Sequence, residues 1–212
     1  MVFLNRKDAG EKIADQLEKF KNDNVIVLAV PRGGIEVAYD TIKRYNFEWD
    51  LIIPRKIGAP DNKEVAVGAV SVDRSYIINE YFVKALKISN KYLAQEINDE
   101  INEIKRRLKK YRGTEELPDV KDKTVILIDD GIATGFTLTA AIKSIKNLGA
   151  IKIVLAVPVG PKHTVKQFKE IVDEVICIYS PDDFTSVGRY YEDFSQVEDE
   201  EVFNLLDKLR GK

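Results

Sequence analysis

Five short segments of the chain are almost entirely apolar and lack the alternation of polar and apolar residues seen in a half-exposed strand. Runs of this kind are typical of strands that are covered on both faces, as in parallel sheets. We therefore predict buried strands over the segments Val25–Val30, Asp50–Ile53, Val125–Ile128, Ile151–Val157 and Val175–Ile178.

Segments with the apolar spacing of helices separate several of these strands. We predict helices over residues 5–20, 34–45, 137–148 and 162–172. Asn5 is a suitable cap for the first helix. Gly149 can adopt the left-handed conformation that ends the third helix, and Pro161 is tolerated in the opening turn of the fourth. This alternation predicts βαβ units and an α/β fold with a doubly wound, mainly parallel five-stranded sheet.

Two segments depart from this alternation. Residues 65–78 contain two short β-like runs and are predicted to form a hairpin. Apolar residues spaced by threes and fours from Tyr92 to Tyr111 predict one long amphipathic helix that ends near Gly113. With no internal repeat or low-complexity linker, we expect a single domain over residues 1–212. It would include a hairpin at 55–79, the long helix at 89–112 and a C-terminal segment at 180–212.

Composition and charge exclude several classes of protein. The 212 residues are 44% hydrophobic and 32% charged, which is not the composition of a disordered chain. A net charge of −2 and a pI near 5.7 argue against a nucleic-acid partner. The basic run Lys105–Arg112 is typical of a solvated helix end. We expect no membrane span or secretory signal, because apolar runs are short and the start is polar. The single cysteine, Cys177, favours a cytoplasmic location.

The segment from Val125 to Thr137 carries the most informative chemistry. Its predicted strand delivers two acids, Asp129 and Asp130, to the carboxyl end, where ligands bind in open α/β sheets. A turn of small residues then opens directly into a helix. The backbone N–H groups of such a turn, the hydroxyls of Thr134 and Thr137 and the helix N-terminus together form a phosphate cradle.

The two acids need a different partner, because carboxylates repel phosphate. Neutral hydroxyls, such as a ribose diol, or a divalent cation would suit them. The alternative interpretation is that Asp130 only caps the helix and Gly131 is an ordinary loop residue. The chain contains neither a Gly-x-x-x-x-Gly-Lys-Ser/Thr loop nor a Gly-x-Gly-x-x-Gly turn.

The same segment resembles the loop that binds phosphoribosyl diphosphate (PRPP) in the type I phosphoribosyltransferases. Further segments resemble one branch of that family, made up of bacterial and archaeal proteins, so that the resemblance spans essentially the whole chain. These segments are Pro31-Arg32-Gly33-Gly34, Pro54–Pro60, Glu64–Val70 and Ser186–Phe194. The resemblance implies the type I phosphoribosyltransferase fold, with a β-hairpin lid and a small hood beside the parallel sheet.

The resemblance also implies roles for individual residues. Asp129 and Asp130 would hold the ribose hydroxyls and stabilise the positive charge that develops on the ribose. Mg²⁺ would be held by the same two acids indirectly, through water and PRPP. The substrate loop, with the 5′-phosphate at its second half, would consist of Gly131, Ile132, Ala133, Thr134, Gly135, Phe136 and Thr137.

The remaining site residues implied by the resemblance handle the diphosphate. Arg32, Gly33 and Gly34 match the diphosphate loop of the family. Arg55 and Lys56 are expected at the start of the mobile lid, where they would neutralise the leaving group and help to exclude water. For Glu64 we favour a salt bridge to Lys56 or Arg55 over a role in acid–base chemistry.

The acceptor base is less clearly indicated. Ala133 stands where the 6-oxopurine enzymes of the family usually carry an aspartate, which weakens a hypoxanthine or guanine assignment. The C-terminal segment nevertheless resembles the hood of those enzymes. Phe184, Tyr190 and Tyr191 would stack on the base there, or alternatively pack on the core. A purine is slightly favoured.

We therefore expect a PRPP-dependent pentosyltransferase that moves ribose 5-phosphate to a nitrogenous base and releases diphosphate. Its partners would be small-molecule substrates. The alternatives are a PRPP- or nucleotide-binding regulator without transferase activity and an enzyme acting on another phosphorylated pentose. A homodimer is expected because the apolar face of the long helix exceeds what a small core covers.

Overall fold

The computed structural model describes residues 2–211. Its helices are α1 (Arg6–Leu17), α2 (Gly33–Tyr45), α3 (Glu80–Ala85), α4 (Asn90–Arg112), α5 (Phe136–Asn147), α6 (Lys162–Phe168) and α7 (Asp199–Arg210). Its strands are β1 (Val25–Ala29), β2 (Glu48–Leu51), β3 (Arg55–Gly58), β4 (Ala66–Val70), β5 (Tyr76–Ile78), β6 (Thr124–Ile128), β7 (Lys152–Val159) and β8 (Glu174–Tyr179). Short 3₁₀ turns cover Glu18–Phe20 and Val187–Tyr190.

The described residues pack into two compact units. The first contains residues 2–51, 120–134 and 149–211, and the second contains residues 52–119 and 135–148. The expectation of a single domain over residues 1–212 stays a prediction. Within residues 2–211, no helix has the length and apolar character needed to cross a membrane.

The first unit is built on a parallel sheet in the order β2-β1-β6-β7-β8. Every residue of the central strands β1 and β6 is buried, as expected for strands covered on both faces. The five predicted strands are all present, and the prediction of an α/β fold with a parallel five-stranded sheet is confirmed.

Two helices of the first unit show how local sequence sets the packing. The side chain of Asn5 caps α1, since its Oδ1 accepts the N–H of Asp8 at 2.9 Å. Gly10 lets α1 approach α2 closely: a Cβ at this position would lie 2.6 Å from the carbonyl oxygen of Val37. The crossing therefore requires a residue without a side chain.

The first unit also differs from the prediction in two places. Helix α6 ends at Phe168 rather than at residue 172, and Pro161 lies just before the helix instead of in its opening turn. Helix α7 was not predicted. It begins with a capping box in which the side chains of Glu198 and Glu201 reach each other's backbone N–H groups.

The second unit carries an antiparallel three-stranded sheet in the order β3-β4-β5. The predicted hairpin is present as β4 and β5, while β3 was missed because its polar residues Arg55 and Lys56 gave no apolar run. Helix α4 ends at Arg112, and Gly113, with a φ of 78°, caps it as expected. Ile101 and Ile104 of α4 are buried, whereas Tyr92 and Ile97 are half-buried, and the homodimer stays a prediction.

Candidate functional site

The carboxyl ends of β1 and β6 lie side by side at the point where the strand order reverses. Strand β1 pairs with β2 on one side and with β6 on the other, and Ala29 stands opposite Ile128 at the ends of the two strands. In open α/β sheets this crevice is where ligands bind. The glycine turn after β1 and the acid pair after β6 therefore both reach the expected ligand-binding edge.

The glycine turn touches the acid pair directly. A Cβ added at Gly34 would lie 2.8 Å from the carbonyl oxygen of Ile128, and one added at Gly33 would lie 2.1 Å from Oδ2 of Asp130. The backbone contact requires glycine at position 34, whereas a Cβ at position 33 would displace the ends of the Asp130 and Arg6 side chains. The structure thus brings together two motifs that the sequence places about 100 residues apart.

Arg6, which sequence analysis did not single out, is the cation of this site. It is 8% exposed, and its Nε donates a hydrogen bond to Oδ2 of Asp130 at 2.8 Å. Its Nη1 donates to the carbonyl oxygen of Ser195 at 2.8 Å and lies 3.8 Å from Oε2 of Glu36. The guanidinium carbon stands 3.9 Å from the ring centroid of Phe194, a cation–π contact.

Three carboxyl groups of the site, those of Asp129, Asp130 and Glu36, share the single positive charge of Arg6. Burial, together with the neighbouring charge of Asp130, raises the pKa of Asp129 well above its usual value. Burial also raises the pKa of Asp130, and the hydrogen bond from Arg6 opposes this shift. The pKa of Glu36 is raised by burial as well, again against the charge of Arg6. Three acids around one arginine favour a ligand that brings hydroxyl groups or a cation.

Tyr191 fixes the backbone of the acid pair. Its hydroxyl donates to the carbonyl oxygen of Asp130 at 2.7 Å, and burial raises the pKa of the phenol, which therefore stays protonated. The ring is 3% exposed and packs on Phe3 and Phe194, at centroid distances of 5.2 and 4.9 Å. Because it is covered in this way, the Tyr191 ring presents no free face for the base stacking that we predicted.

The other two predicted stacking residues form a pair of their own. The rings of Phe184 and Tyr190 stack at a centroid distance of 5.6 Å and an interplanar angle of 15°. The turn that carries Tyr190 packs on the acid loop, since a Cβ on Gly131 would lie 2.6 Å from Cγ1 of Val187. The aromatic pair therefore belongs to a segment in contact with the residue that follows Asp130.

In the predicted phosphate loop, Ile132 is anchored in the fold, whereas Ala133 and Thr134 are exposed. Ile132 is buried, and its N–H donates to the carbonyl oxygen of Val159 at 2.8 Å, so this amide is already used within the fold. Ala133 and Thr134 are exposed. Gly135 has a φ of 78° and precedes α5 of the second unit, whose first two residues are Phe136 and Thr137.

Arg32 makes a contact that the sequence did not indicate. Its Nη1 lies 3.7 Å from Oε2 of Glu198 and 3.9 Å from Oδ1 of Asp199, at the N-terminus of α7. These separations and the partial exposure of the side chains indicate weak ion pairs. The Arg32 side chain is therefore a partly exposed cation held by weak contacts to the start of α7.

The cations predicted for the lid lie on β3 of the second unit. The Nε of Arg55 donates to Oε2 of Glu100 on α4 at 2.5 Å. The favoured salt bridge from Glu64 to Lys56 or Arg55 is wrong: within residues 2–211 Arg55 pairs with Glu100, and Glu64 forms an ion pair with neither. The N–H of Glu64 donates to Oδ1 of Asn62 at 3.0 Å, a local turn contact. The mobility of the hairpin and the roles of Arg55 and Lys56 stay predictions.

The carboxylates of Asp129 and Asp130 suit a metal ion that binds together with a phosphate-bearing substrate. Over residues 2–211, no group of three or more His, Cys, Asp or Glu side chains has the arrangement of a metal cage. Mg²⁺ is commonly bound by one or two carboxylates together with substrate phosphates. Asp129 and Asp130 fit that mode, since they are adjacent and half-buried and have Arg6 as a shared nearby cation.

Fold and site together define the class: a doubly wound α/β protein with a ligand site at its switch point, formed by an acid pair and a glycine turn. A family model described as "Phosphoribosyl transferase domain" matches residues 4–195, and the chain belongs to this family. The family resemblance inferred from the motifs is thereby confirmed.

Individual relatives agree with this assignment. A Mycobacterium tuberculosis (strain H37Rv) protein named "Putative phosphoribosyl transferase Rv0571c" is 35% identical over 208 residues, which are 98% of this chain and 47% of that protein. The chain thus spans about half the length of the curated relatives it matches. The crystal structure of the TT1426 protein from Thermus thermophilus is 35% identical, covers 99% of both chains and has a TM-score of 0.80.

A more distant structure shares the fold alone. The AQ2163 protein from Aquifex aeolicus is 11% identical, with a TM-score of 0.51 over 86% of this chain and 76% of that one. The fold is therefore shared where little sequence similarity remains.

Proposed function

We propose that this chain is a PRPP-dependent phosphoribosyltransferase that transfers ribose 5-phosphate to a nitrogenous base and releases diphosphate. One observation carries the proposal. A half-buried acid pair and an arginine–glycine turn, which the resemblance assigns to the ribose diol and to the diphosphate, are in contact at the switch point of the sheet. PRPP carries these two groups on neighbouring carbons of one ribose.

The chemistry of the acid pair supports transfer at the anomeric carbon. As the bond from C1′ to diphosphate breaks, the ribose gains positive charge, which carboxylates stabilise more in the transition state than in the ground state. Asp129 and Asp130 are half-buried, and charges interact more strongly where water is partly excluded. They would accept hydrogen bonds from the ribose hydroxyls and stabilise the developing cation.

The remaining residues would bind the phosphate groups. Arg32 and the backbone of Gly33 and Gly34 would face the diphosphate. The exposed residues Ala133 and Thr134, with Gly135, Phe136 and Thr137, would hold the 5′-phosphate through backbone N–H groups and hydroxyls. Mg²⁺, bound with PRPP near Asp129 and Asp130, would neutralise negative charge on the diphosphate.

The favoured acceptor class is a purine. The stacked pair of Phe184 and Tyr190 supports this choice, because a flat aromatic surface binds a larger bicyclic base through a larger contact area. Tyr191 takes no part in this surface. A cytoplasmic location, a homodimer and the absence of a nucleic-acid partner remain part of the proposal, and light scattering at micromolar concentration tests the homodimer.

A panel of bases tests the proposal. The protein is incubated with PRPP and Mg²⁺ and with each purine and pyrimidine base in turn, and diphosphate release is recorded. We expect release with at least one base, with a purine preferred. Binding of PRPP without release with any base would overturn the transferase proposal in favour of a regulator. Turnover of another phosphorylated pentose, with no diphosphate released from PRPP, would favour the alternative of an enzyme acting on that pentose.

A further inference from the structure

Arg6 is a buried arginine that neither the sequence motifs nor the proposed reaction explains. It opens α1 directly after the cap Asn5, and its side chain is 9% exposed. A guanidinium taken out of water is costly unless it is paired and hydrogen-bonded. The pairing is supplied from distant parts of the first unit: Asp130 after β6, Glu36 on α2 and Ser195 near the C-terminus.

The contacts of Arg6 hold its guanidinium in one orientation. Nε donates to Oδ2 of Asp130 and Nη1 donates to the carbonyl oxygen of Ser195, both at 2.8 Å. The ring of Phe194 covers one face at 3.9 Å. Two donors of one planar group are thus fixed to two acceptors, an arrangement that a lysine ammonium cannot reproduce.

The glycine turn is packed against this ion pair. A Cβ on Gly33 would lie 2.1 Å from Oδ2 of Asp130 and 2.6 Å from Nε of Arg6. The turn therefore leaves no space for the carboxylate to rotate toward it. The backbone of Asp130 is held as well, because the hydroxyl of Tyr191 donates to its carbonyl oxygen at 2.7 Å.

We propose that Arg6 is a positioning residue that fixes the carboxylate of Asp130 for the ribose diol of PRPP. Because Arg6 occupies Oδ2, the other carboxylate oxygen, Oδ1, is the acceptor for a ligand hydroxyl. This inference rests on the proposed function, and it adds a residue that acts through Asp130 and touches neither the ribose nor the base.

Arg6 also ties α1 to the C-terminal segment, so a loss of stability alone would not support the proposal. The test therefore compares R6M and R6K with R44M and R44K. Arg44 is a matched control, because it forms an ion pair with Asp15 that joins α2 to α1 within the same unit. The measurements are kcat, the KM for PRPP and, by calorimetry, the Kd for PRPP with Mg²⁺, after fluorescence of Trp49 has shown each variant to be folded.

We expect R6M to lower kcat/KM for PRPP about 100-fold, the effect of a misplaced reacting group. R6K should recover about tenfold of that loss, since it restores the charge without the two-point geometry. The Arg44 variants should match the wild type. In a D130N background, R6M should cause little further loss, because the carboxylate that Arg6 positions is already gone.

Three results separate this proposal from the proposed function. If R6M and R6K keep the wild-type kcat/KM, or if the losses from R6M and D130N add in full, Arg6 does not act through Asp130. If the wild type binds PRPP but releases no diphosphate, the transferase proposal fails, and the Kd values of the same variants decide the role of Arg6. If the wild type does not bind PRPP, both proposals are wrong. Should R6M not fold, the comparison of R6K with R44K decides.

Discussion

Replacing Tyr191 with phenylalanine removes a single hydroxyl from a buried ring at the candidate site. That hydroxyl donates to the carbonyl oxygen of Asp130 at 2.7 Å, and the ring is 3% exposed. A buried carbonyl that loses its partner costs about 1–3 kcal/mol. The ring itself keeps its packing, so we expect Y191F to lower the free energy of unfolding by about 1–2 kcal/mol.

Trp49 provides the assay for this prediction. It is the only tryptophan in the sequence and lies on β2 of the first unit, the unit that contains Tyr191. Its fluorescence during urea denaturation therefore reports on the relevant part of the chain. The matched control is Y45F, since the hydroxyl of Tyr45 donates to the carbonyl oxygen of Ala14 at 3.0 Å, away from the acid pair.

Both tyrosine variants should lose stability, but only Y191F should raise the KM for PRPP. The reason is that Tyr191 holds the backbone of a proposed ligand-binding acid, whereas Tyr45 holds a helix. Two results would refute this reasoning: a Y191F protein as stable as the wild type, or a Y45F protein whose KM for PRPP rises as much as that of Y191F.

Two further predictions follow from shifted pKa values. Burial raises the pKa of Cys177 to about 11, so little of the thiol is ionised at about pH 8. Because the thiolate is the form that reacts, iodoacetamide should alkylate the native protein about 100-fold more slowly than the unfolded chain. Equal rates would contradict this prediction. Hydrogen bonds from Arg106 and Arg107 lower the pKa of Glu103 to about 2. A carboxyl whose pKa is lower in the folded state stabilises the fold above the unfolded-state pKa and loses this effect as the pH falls. E103Q should therefore cost about 0.5–1 kcal/mol at about pH 7 and clearly less near pH 2, measured by chemical denaturation. An equal cost at both pH values would contradict the ion pair.

The sheet and the ligand-binding edge were predictable because their signals are local in sequence. Strands β1 and β6 are buried throughout, so each reads as an uninterrupted apolar run. The residues after each strand could be assigned to the site, because ligands bind at the carboxyl ends of strands in open α/β sheets. Where the local signal was absent, as in the polar strand β3, the element was missed.

The supporting residues of the site were not predictable, because their roles arise from long-range packing. Arg6 lies 124 residues from Asp130 in the chain and looks like an ordinary helix-opening residue. The ring of Tyr191 was predicted to stack on a base, but the fold buries it between Phe3 and Phe194. Glu100 rather than Glu64 pairs with Arg55, since the relevant neighbours are set by α4 and not by the hairpin sequence.

The most direct test of the proposed function is a comparison of D129N/D130N with the wild type. Asparagine keeps the shape of both side chains and removes the charges proposed to stabilise the ribose cation. D182N/D183N is the matched control, because it changes another adjacent aspartate pair of the same unit in an exposed loop. PRPP-dependent diphosphate release should fall about 1,000-fold in D129N/D130N and stay unchanged in D182N/D183N. Unchanged release in D129N/D130N, or an equal fall in both variants, would contradict the assignment.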